Sequence, residues 1–142
     1  MAEIRTQLLG AFSGYNDGAI FRLTNGQVWQ QRRYKYKYKY KYRPHVRLYQ
    51  DGGRWFMKFD CMDDKIEVVR ANILEDGVIV SDFSGFDGSS RFEFENGHVW
   101  EQAEYKYNYH YAYRPHAIIV DGVNGVELQV EGMSEKVRVR PA

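Results

Sequence analysis

The segments that decide the fold are YKYKYKYKYRPH, from Tyr34 to His45, and YKYNYHYAYRPH, from Tyr105 to His116. In both segments tyrosine occupies every second position over nine residues. Successive side chains of an extended strand point to opposite faces, so this alternation predicts a β-strand with five tyrosines on one face. Nine residues span about 30 Å at about 3.3 Å per residue. That is too long for one wall of a small barrel, and we expect part of the strand to leave it.

The two segments lie 71 residues apart and belong to an internal repeat. Residues 12–71 align with residues 83–142 without a gap, with 22 identities in 60 pairs. Such self-similarity is typical of tandem copies of one structural unit. We therefore predict one module over residues 1–71 and a second over residues 72–142. Outside the tyrosine segments, the repeat is strongest where FSGY (Phe12–Tyr15) matches FSGF (Phe83–Phe86) and NGQVWQQ (Asn25–Gln31) matches NGHVWEQ (Asn96–Gln102).

Turn signals divide each copy into short strands. Asn25-Gly26 and Asn96-Gly97 are typical of tight hairpins whose two turn residues both have positive φ. Further turns are expected at Asp51-Gly52-Gly53, between Asp121 and Gly125, and around Met62–Lys65 and Met133–Lys136. We predict about five strands per copy and an all-β fold of two small antiparallel barrels, because closure hides sheet edges. An SH3-like barrel is the first choice and an OB-like barrel the second.

The faces of the tyrosine strands differ between the copies. Lysine fills all four alternate positions in the first copy, whereas Lys106, Asn108, His110 and Ala112 fill them in the second. If no bulge intervenes, the rings share a face with Val28, Val46 and Leu48, which favours amphipathic walls. The other interpretation is an exposed platform for sugars, bases or a peptide. The candidate contact surface consists of Tyr34, Tyr36, Tyr38, Tyr40, Tyr42, Tyr105, Tyr107, Tyr109, Tyr111 and Tyr113, with Trp29 and Trp100 expected on the outer face, where they either cap the barrel or form a ligand shelf.

Charge is distributed unequally along the chain. Residues 1–71 carry 14 Lys and Arg against 7 Asp and Glu, and residues 72–142 carry 6 against 12. The basic first module and the acidic second module therefore have net charges of +7 and −6, which make the total of +1. A basic stripe with interleaved aromatic rings suits single-stranded nucleic acid, but the acidic half would repel the same ligand. The stripe consists of Arg32, Arg33, Lys35, Lys37, Lys39, Lys41, Arg43 and Arg47.

Catalytic and metal-binding patterns are not found in the sequence. Cys61 is the single cysteine, which excludes an intrachain disulfide and a cysteine-built zinc site, and we expect it to be buried or half-buried. His45 and His116 close the repeated Arg-Pro-His and are interpreted as turn residues. Neither a phosphate-binding glycine loop nor a familiar nucleophile motif is present. We predict no cofactor and no metal, and a hydrolase or metal enzyme is the least favoured class.

The chain has no apolar run of 18 residues and no signal-like start. We therefore expect a cytoplasmic protein without a membrane span.

These motifs resemble a group of uncharacterised bacterial proteins with an SH3-like module. Their pattern is Phe-x-Gly-aromatic, Asn-Gly-Gln-x-Trp-x-Gln, an alternating tyrosine strand that ends near Arg-Pro, and a closing Val-x-Gly. The first copy departs from it, because Phe59, Asp60 and Cys61 replace Val-x-Gly. The resemblance implies an SH3-like fold and a binding or structural role, and no catalytic residues. The second copy fits through Phe83, Gly85, Asn96, Gly97, Trp100, Gln102, Arg114, Pro115, Val130 and Gly132.

The favoured hypothesis is a non-catalytic binding or scaffold protein whose tyrosine surfaces contact a protein partner or another part of the protein itself. That contact is either module against module or homodimer packing. The alternative is nucleic-acid binding through the basic stripe of the first module.

Overall fold

The structure is a computed structural model that describes residues 3–133 and 135–142. The described residues form β-strands without an α-helix, which confirms the all-β prediction. They therefore contain no helix of the length and apolarity that a membrane crossing needs. The chain divides into two compact units, residues 1–71 (unit 1) and residues 72–142 (unit 2).

Each unit contributes eight described strands. Those of unit 1 are β1 (Glu3–Gln7), β2 (Ala11–Phe12), β3 (Ile20–Arg22), β4 (Val28–Gln31), β5 (Lys41–Tyr42), β6 (His45–Asp51), β7 (Arg54–Phe59) and β8 (Lys65–Arg70). Those of unit 2 are β9 (Asn72–Val78), β10 (Phe83–Asp87), β11 (Arg91–Glu93), β12 (Val99–Gln102), β13 (Tyr107–Ala112), β14 (His116–Gly122), β15 (Gly125–Val130) and β16 (Lys136–Pro141). The prediction of about five strands per copy was too low, because short turns break the chain more often than the glycines indicated.

Both units have the same antiparallel topology. The six-stranded sheet of unit 1 has the order β1-β6-β7-β8-β4-β3, and that of unit 2 has the equivalent order β9-β14-β15-β16-β12-β11. A separate two-stranded sheet pairs β2 with β5 in unit 1 and β10 with β13 in unit 2. The tyrosine segments therefore lie outside the main sheets, in agreement with the expectation that such a long strand leaves the wall.

The two edges of each main sheet approach each other at one point. In unit 1 an isolated bridge joins Leu8 to Leu23, and the Leu9 amide donates to the Arg22 carbonyl over 2.8 Å. In unit 2 the equivalent bridge joins Ile79 to Phe94. In the described residues these contacts do not extend into a continuous strand pair, so each sheet is strongly curved without a closed ladder.

Among the described residues, one hydrophobic core cluster lies in unit 1 and another in unit 2. Phe12, Phe21 and Phe59 pack together in unit 1, where the Phe12 and Phe59 rings stack with centroids 4.1 Å apart. Phe86 and Phe92 form an edge-to-face pair in unit 2. Cys61 is half-buried against the first core, as expected. Separate cores of this kind are what a duplicated module requires.

The Asn-Gly hairpins differ from the predicted geometry. Positive φ is found at Gly26 (88°) and Gly97 (90°), but not at the preceding asparagines. The Gly26 amide donates to the Leu23 carbonyl, and the Asn25 side chain accepts from the Gln27 amide over 3.0 Å. The loop is therefore three residues long with a left-handed glycine, a common alternative to the two-residue turn.

The other predicted turns fall between strands. Gly52 and Gly53 connect β6 to β7 with φ of 61° and 81°. The turn expected between Asp121 and Gly125 connects β14 to β15, and the one around Met62 lies between β7 and β8. Its counterpart around Met133 includes Ser134, which lies outside the described residues.

Candidate functional site: the tyrosine surfaces

A glycine in each unit holds the tyrosine segment against a neighbouring strand. Gly14 and Gly85 have φ of 98° and 100°. A Cβ atom on Gly14 would lie 2.0 Å from the Lys37 carbonyl oxygen, and one on Gly85 would lie 1.9 Å from the Asn108 oxygen. Only glycine permits both this backbone conformation and this close approach. The repeated Phe-Ser-Gly motif therefore encodes the docking of the tyrosine segment.

A buried glutamine fixes the start of each tyrosine segment. The Gln31 side-chain amide donates to the carbonyls of Arg33 (2.9 Å) and Lys35 (3.1 Å) and accepts from the Asn16 amide. Gln102 donates in the same way to Glu104 and Lys106 over 3.0 and 2.8 Å. Sequence analysis missed this role, although the recurrence of this glutamine after Val-Trp-x in both copies was a signal for it.

Tyr15 is a buried tyrosine outside the two segments. Its hydroxyl donates to the Asp64 carbonyl over 2.9 Å, and its ring packs edge-on against Phe12. Burial and the nearby Asp64 carboxylate raise the pKa of this phenol far above its usual value. The residue ties the FSGY strand to the loop after β7, which also lies beneath the tyrosine segment.

The ten tyrosines of the segments are all exposed. We call them tyrosine row 1 (Tyr34, Tyr36, Tyr38, Tyr40, Tyr42) and tyrosine row 2 (Tyr105, Tyr107, Tyr109, Tyr111, Tyr113). The relative exposure of the rings runs from 60% to 84%. The interpretation that most rings pack as walls on the face of Val28, Val46 and Leu48 was wrong, because these three aliphatic residues are buried.

The predicted alternation of faces from the tyrosines to Val46 is broken at the arginine that follows each row. Arg43 and Arg114 have φ of 52° and 46°, in the left-handed region that non-glycine residues rarely adopt. One such residue between Tyr42 and His45 interrupts the strict alternation of faces. The tyrosines and Val46 therefore face differently even though they are an even number of positions apart.

The opposite face of each tyrosine segment contacts the loop before the last strand of its unit. Lys35 and Lys37 form ion pairs with Asp64 at 2.8 and 3.3 Å. In unit 2 the Asn108 side chain donates to Glu135 over 2.9 Å, at the positions equivalent to Lys37 and Asp64. Hydrogen bonds from Lys35 and Lys37 lower the pKa of the Asp64 carboxyl. Lys35 and Lys37 of the stripe therefore face an acidic group of their own unit.

Other residues of the basic stripe also have acidic neighbours. Glu67 is buried, and Arg32 and Arg33 approach it to 3.7 and 3.1 Å. Lys41 lies 3.6 Å from Asp60, and Arg47 lies 3.8 Å from Glu3. In the remainder of the stripe Lys39 is exposed and Arg43 is half-buried.

The two tryptophans are not on an outer ligand shelf. Trp29 is 1% exposed, and its indole nitrogen donates to the Gln27 side chain over 3.1 Å. Trp100 is partly buried against the core of unit 2. All four residues of β4 are buried. The alternation of side chains along that strand therefore does not place one set inside and the other outside. The placement of both tryptophans on the outside was therefore wrong.

Two grooves lie on the surfaces of the units. One of about 300 Å³ borders Tyr107 and Tyr109 and is lined on the β10 side by Ser84, Asp87 and Ser90. Another of about 780 Å³ lies on unit 1 and is lined by Arg5, Thr6, Gln7, Thr24, His45, Val46, Arg47, Lys58 and Asp60. Only the first borders residues of a tyrosine row.

Two of the four histidines, His98 and His116, have acidic neighbours. His116 lies 2.8 Å from Asp76, and His98 contacts Glu75. His45 and His116 begin strands β6 and β14, so they are strand residues and not turn residues as interpreted. The described residues contain no cluster of three side chains suited to hold a metal ion.

Comparison with protein-family models, curated proteins and solved structures finds no match to the chain.

Proposed function

We propose that the protein is a non-catalytic binding or scaffold protein that uses its tyrosine rows as contact surfaces for another protein or a second copy of itself. The observation that carries this proposal is the exposure of all ten rings, at 60% to 84%. Tyrosine combines a large apolar ring with a hydroxyl that remains hydrated, and it is enriched at protein interfaces. Extended aromatic patches on a protein surface usually mark interaction sites.

We also propose that each unit is an SH3-like module. The support is a strongly curved antiparallel sheet whose edges meet at the Leu8–Leu23 bridge in unit 1 and at Ile79–Phe94 in unit 2. In this proposal the module is a scaffold, and the tyrosine segment is an addition held outside its main sheet.

Nucleic-acid binding through the basic stripe is the weaker candidate. A single strand that stacks its bases on row 1 needs cations on the same face to hold its phosphates. Lys35 and Lys37 instead reach Asp64 on the opposite face of the segment. Labelled single-stranded oligonucleotide should therefore show no specific binding, even at low salt. Tight binding that weakens steeply with salt would revive this candidate.

The contact-surface proposal is tested by removing rings without disturbing the fold. One variant replaces Tyr36, Tyr38 and Tyr40 by Ser, and another replaces Tyr107, Tyr109 and Tyr111 by Ser. We expect concentration-dependent self-association of the unmodified chain in sedimentation velocity, and at least one ring variant should weaken it. In both variants the free energy of unfolding, measured in urea, should stay within about 1 kcal/mol of the value for the unmodified chain, because exposed side chains contribute little to stability.

The matched control changes the opposite face of the same segment. Replacement of Lys37 and Lys39 by Ser leaves row 1 intact and should not weaken association. Association that is weakened by the lysine variant but not by the ring variants would contradict the proposal.

A further inference from the structure

The tyrosine strand of unit 2 has one paired edge and one open edge. A Cβ atom on Gly85 would lie 1.9 Å from the Asn108 oxygen and 2.7 Å from the His110 nitrogen, so these backbone groups point toward β10. Alternate residues of a strand direct their backbone groups to opposite edges. The N–H and C=O groups of Tyr107 and Tyr109 therefore point away from β10. Among the described residues, β10 is the only strand that pairs with β13.

An open edge of six residues can pair with another strand, and proteins commonly block such edges with lysine or irregular backbone. Unit 1 has both features at the equivalent place. Its tyrosine segment carries four lysines and is regular only over Lys41–Tyr42 and at an isolated Tyr15–Lys37 bridge. Unit 2 has neither over Tyr107–Tyr109, because Asn108 stands at the lysine position there and the one register shift of the β10–β13 pairing falls between Tyr109 and Ala112.

We infer that β13 pairs antiparallel with β13 of a second copy of this chain. The register that uses the open groups of both strands sets Tyr107 opposite Tyr109 of the second copy and Asn108 opposite its own equivalent. Tyrosines then adjoin tyrosines, and two neutral amides face each other. Cross-strand aromatic pairs stabilise a sheet, whereas like charges directly opposite each other destabilise it.

The same pairing is disfavoured in unit 1. The equivalent register would set Lys37 opposite Lys37 and Lys35 opposite Lys39, which places like charges across the new pair. The lysines thus direct association to unit 2. This inference rests on the proposed function of the rows as contact surfaces, and it specifies the strand, the partner and the register.

The principal experiment transfers the residues of unit 1 to unit 2 in the full chain. The double variant Asn108→Lys, His110→Lys should weaken dimerisation in sedimentation velocity by about tenfold or more. The fold should survive, because the lysine introduced at position 108 can pair with Glu135 as Lys37 pairs with Asp64. An unchanged circular dichroism melt checks this. The reciprocal variant Lys37→Asn, Lys39→His is the matched control and should not weaken dimerisation.

Amide hydrogen exchange by NMR supplies an independent measurement. Raising the protein concentration should slow exchange at the Tyr107 and Tyr109 amides and leave those of Tyr36 and Tyr38 unchanged. A chain that stays monomeric at all concentrations overturns the inference, as does a dimer without this protection or one insensitive to the double variant. Loss of association in the ring variants alone would refute edge pairing but support the proposed contact surface.

Discussion

The two tyrosine segments have the same five rings but different backbones. In unit 2 the segment forms the six-residue strand β13, whereas in unit 1 regular pairing is limited to Lys41–Tyr42 and one isolated bridge. The residues that differ are those of the opposite face, where lysines replace Asn108, His110 and Ala112. The comparison indicates that the opposite face controls the regularity of the segment while leaving the rings exposed in both units.

The most severe test of this comparison is to separate the units. Residues 1–71 and 72–142 should each fold alone with a cooperative urea transition, because each has its own core. A fragment of residues 77–142 should fail to fold, since it lacks most of β9, which pairs with β14 along its length. Circular dichroism of the three fragments checks this. If the 72–142 fragment is disordered, unit 2 does not fold alone even though it has the same topology as unit 1.

The second prediction concerns the glycines that hold the two segments. We expect Gly85→Ala to destabilise unit 2 by about 3 kcal/mol or more, and Gly14→Ala to destabilise unit 1 by a similar amount. In each variant the added methyl group would overlap a backbone oxygen. Gly97→Ala is the control, with φ of 90° but open space around its Cβ position. It should cost only about 1 kcal/mol of backbone strain. Urea unfolding of the separate units measures the free energy of unfolding of each variant. If Gly85→Ala and Gly97→Ala lose equal stability, the close approach to the backbone oxygen is not what requires glycine.

The third prediction concerns the glutamines that fix the start of each segment. Gln31→Ala and Gln102→Ala should each cost about 2 kcal/mol, because each leaves several partly buried backbone groups without a partner. Gln27→Ala is a comparison in which the buried Trp29 indole nitrogen loses its partner, and it should cost about 1 kcal/mol, less than loss of the several bonds of Gln31. If alanine at position 31 costs much less than at position 102, the less regular segment of unit 1 tolerates loss of this anchor.

The smallest expected effect is a difference in acid sensitivity. Burial tends to raise the pKa of Glu75, but hydrogen bonds from His98 and Asn96 outweigh it and lower the pKa below the usual 4.5. A lowered folded-state pKa contributes stability above pH 4.5, and this is lost as pH falls through the folded value. Unit 1 has Ile4 and Gln27 at the positions of Glu75 and His98.

The isolated units make this difference measurable. Glu75→Gln should reduce the acid-induced loss of stability in unit 2 by less than about 1 kcal/mol, because the His98 partner of the buried Glu75 is itself largely exposed to solvent. Urea midpoints at pH 6 and pH 3.5 give the comparison. If the Glu75→Gln variant loses as much stability on acidification as unmodified unit 2, Glu75 is not the cause of the acid sensitivity.

The sequence was sufficient for the all-β class because period-two alternation and turn residues are local signals. It misassigned the faces of the rows because neither Arg43 nor Arg114 is a residue type that signals a positive φ, and the backbone of Arg43 is held by hydrogen bonds to the distant Gly10 and Gln7. The outward placement of Trp29 failed for a related reason, since a strand with all four residues buried has no polar face to reveal its orientation. The ion pairs of Lys35 and Lys37 depend on a loop about 27 residues away in sequence and have no local signal.

The strand order of each unit has a consequence for synthesis on the ribosome. β1 pairs with β6, and β4 pairs with β8, so unit 1 cannot complete its sheet until Arg70 has been made. Translation of the next 71 residues takes roughly 4–14 s at about 5–20 residues per second. Small β-domains fold in milliseconds to seconds. The first copy can therefore finish before strands of the second are available, which limits exchange of equivalent strands between two such similar repeats.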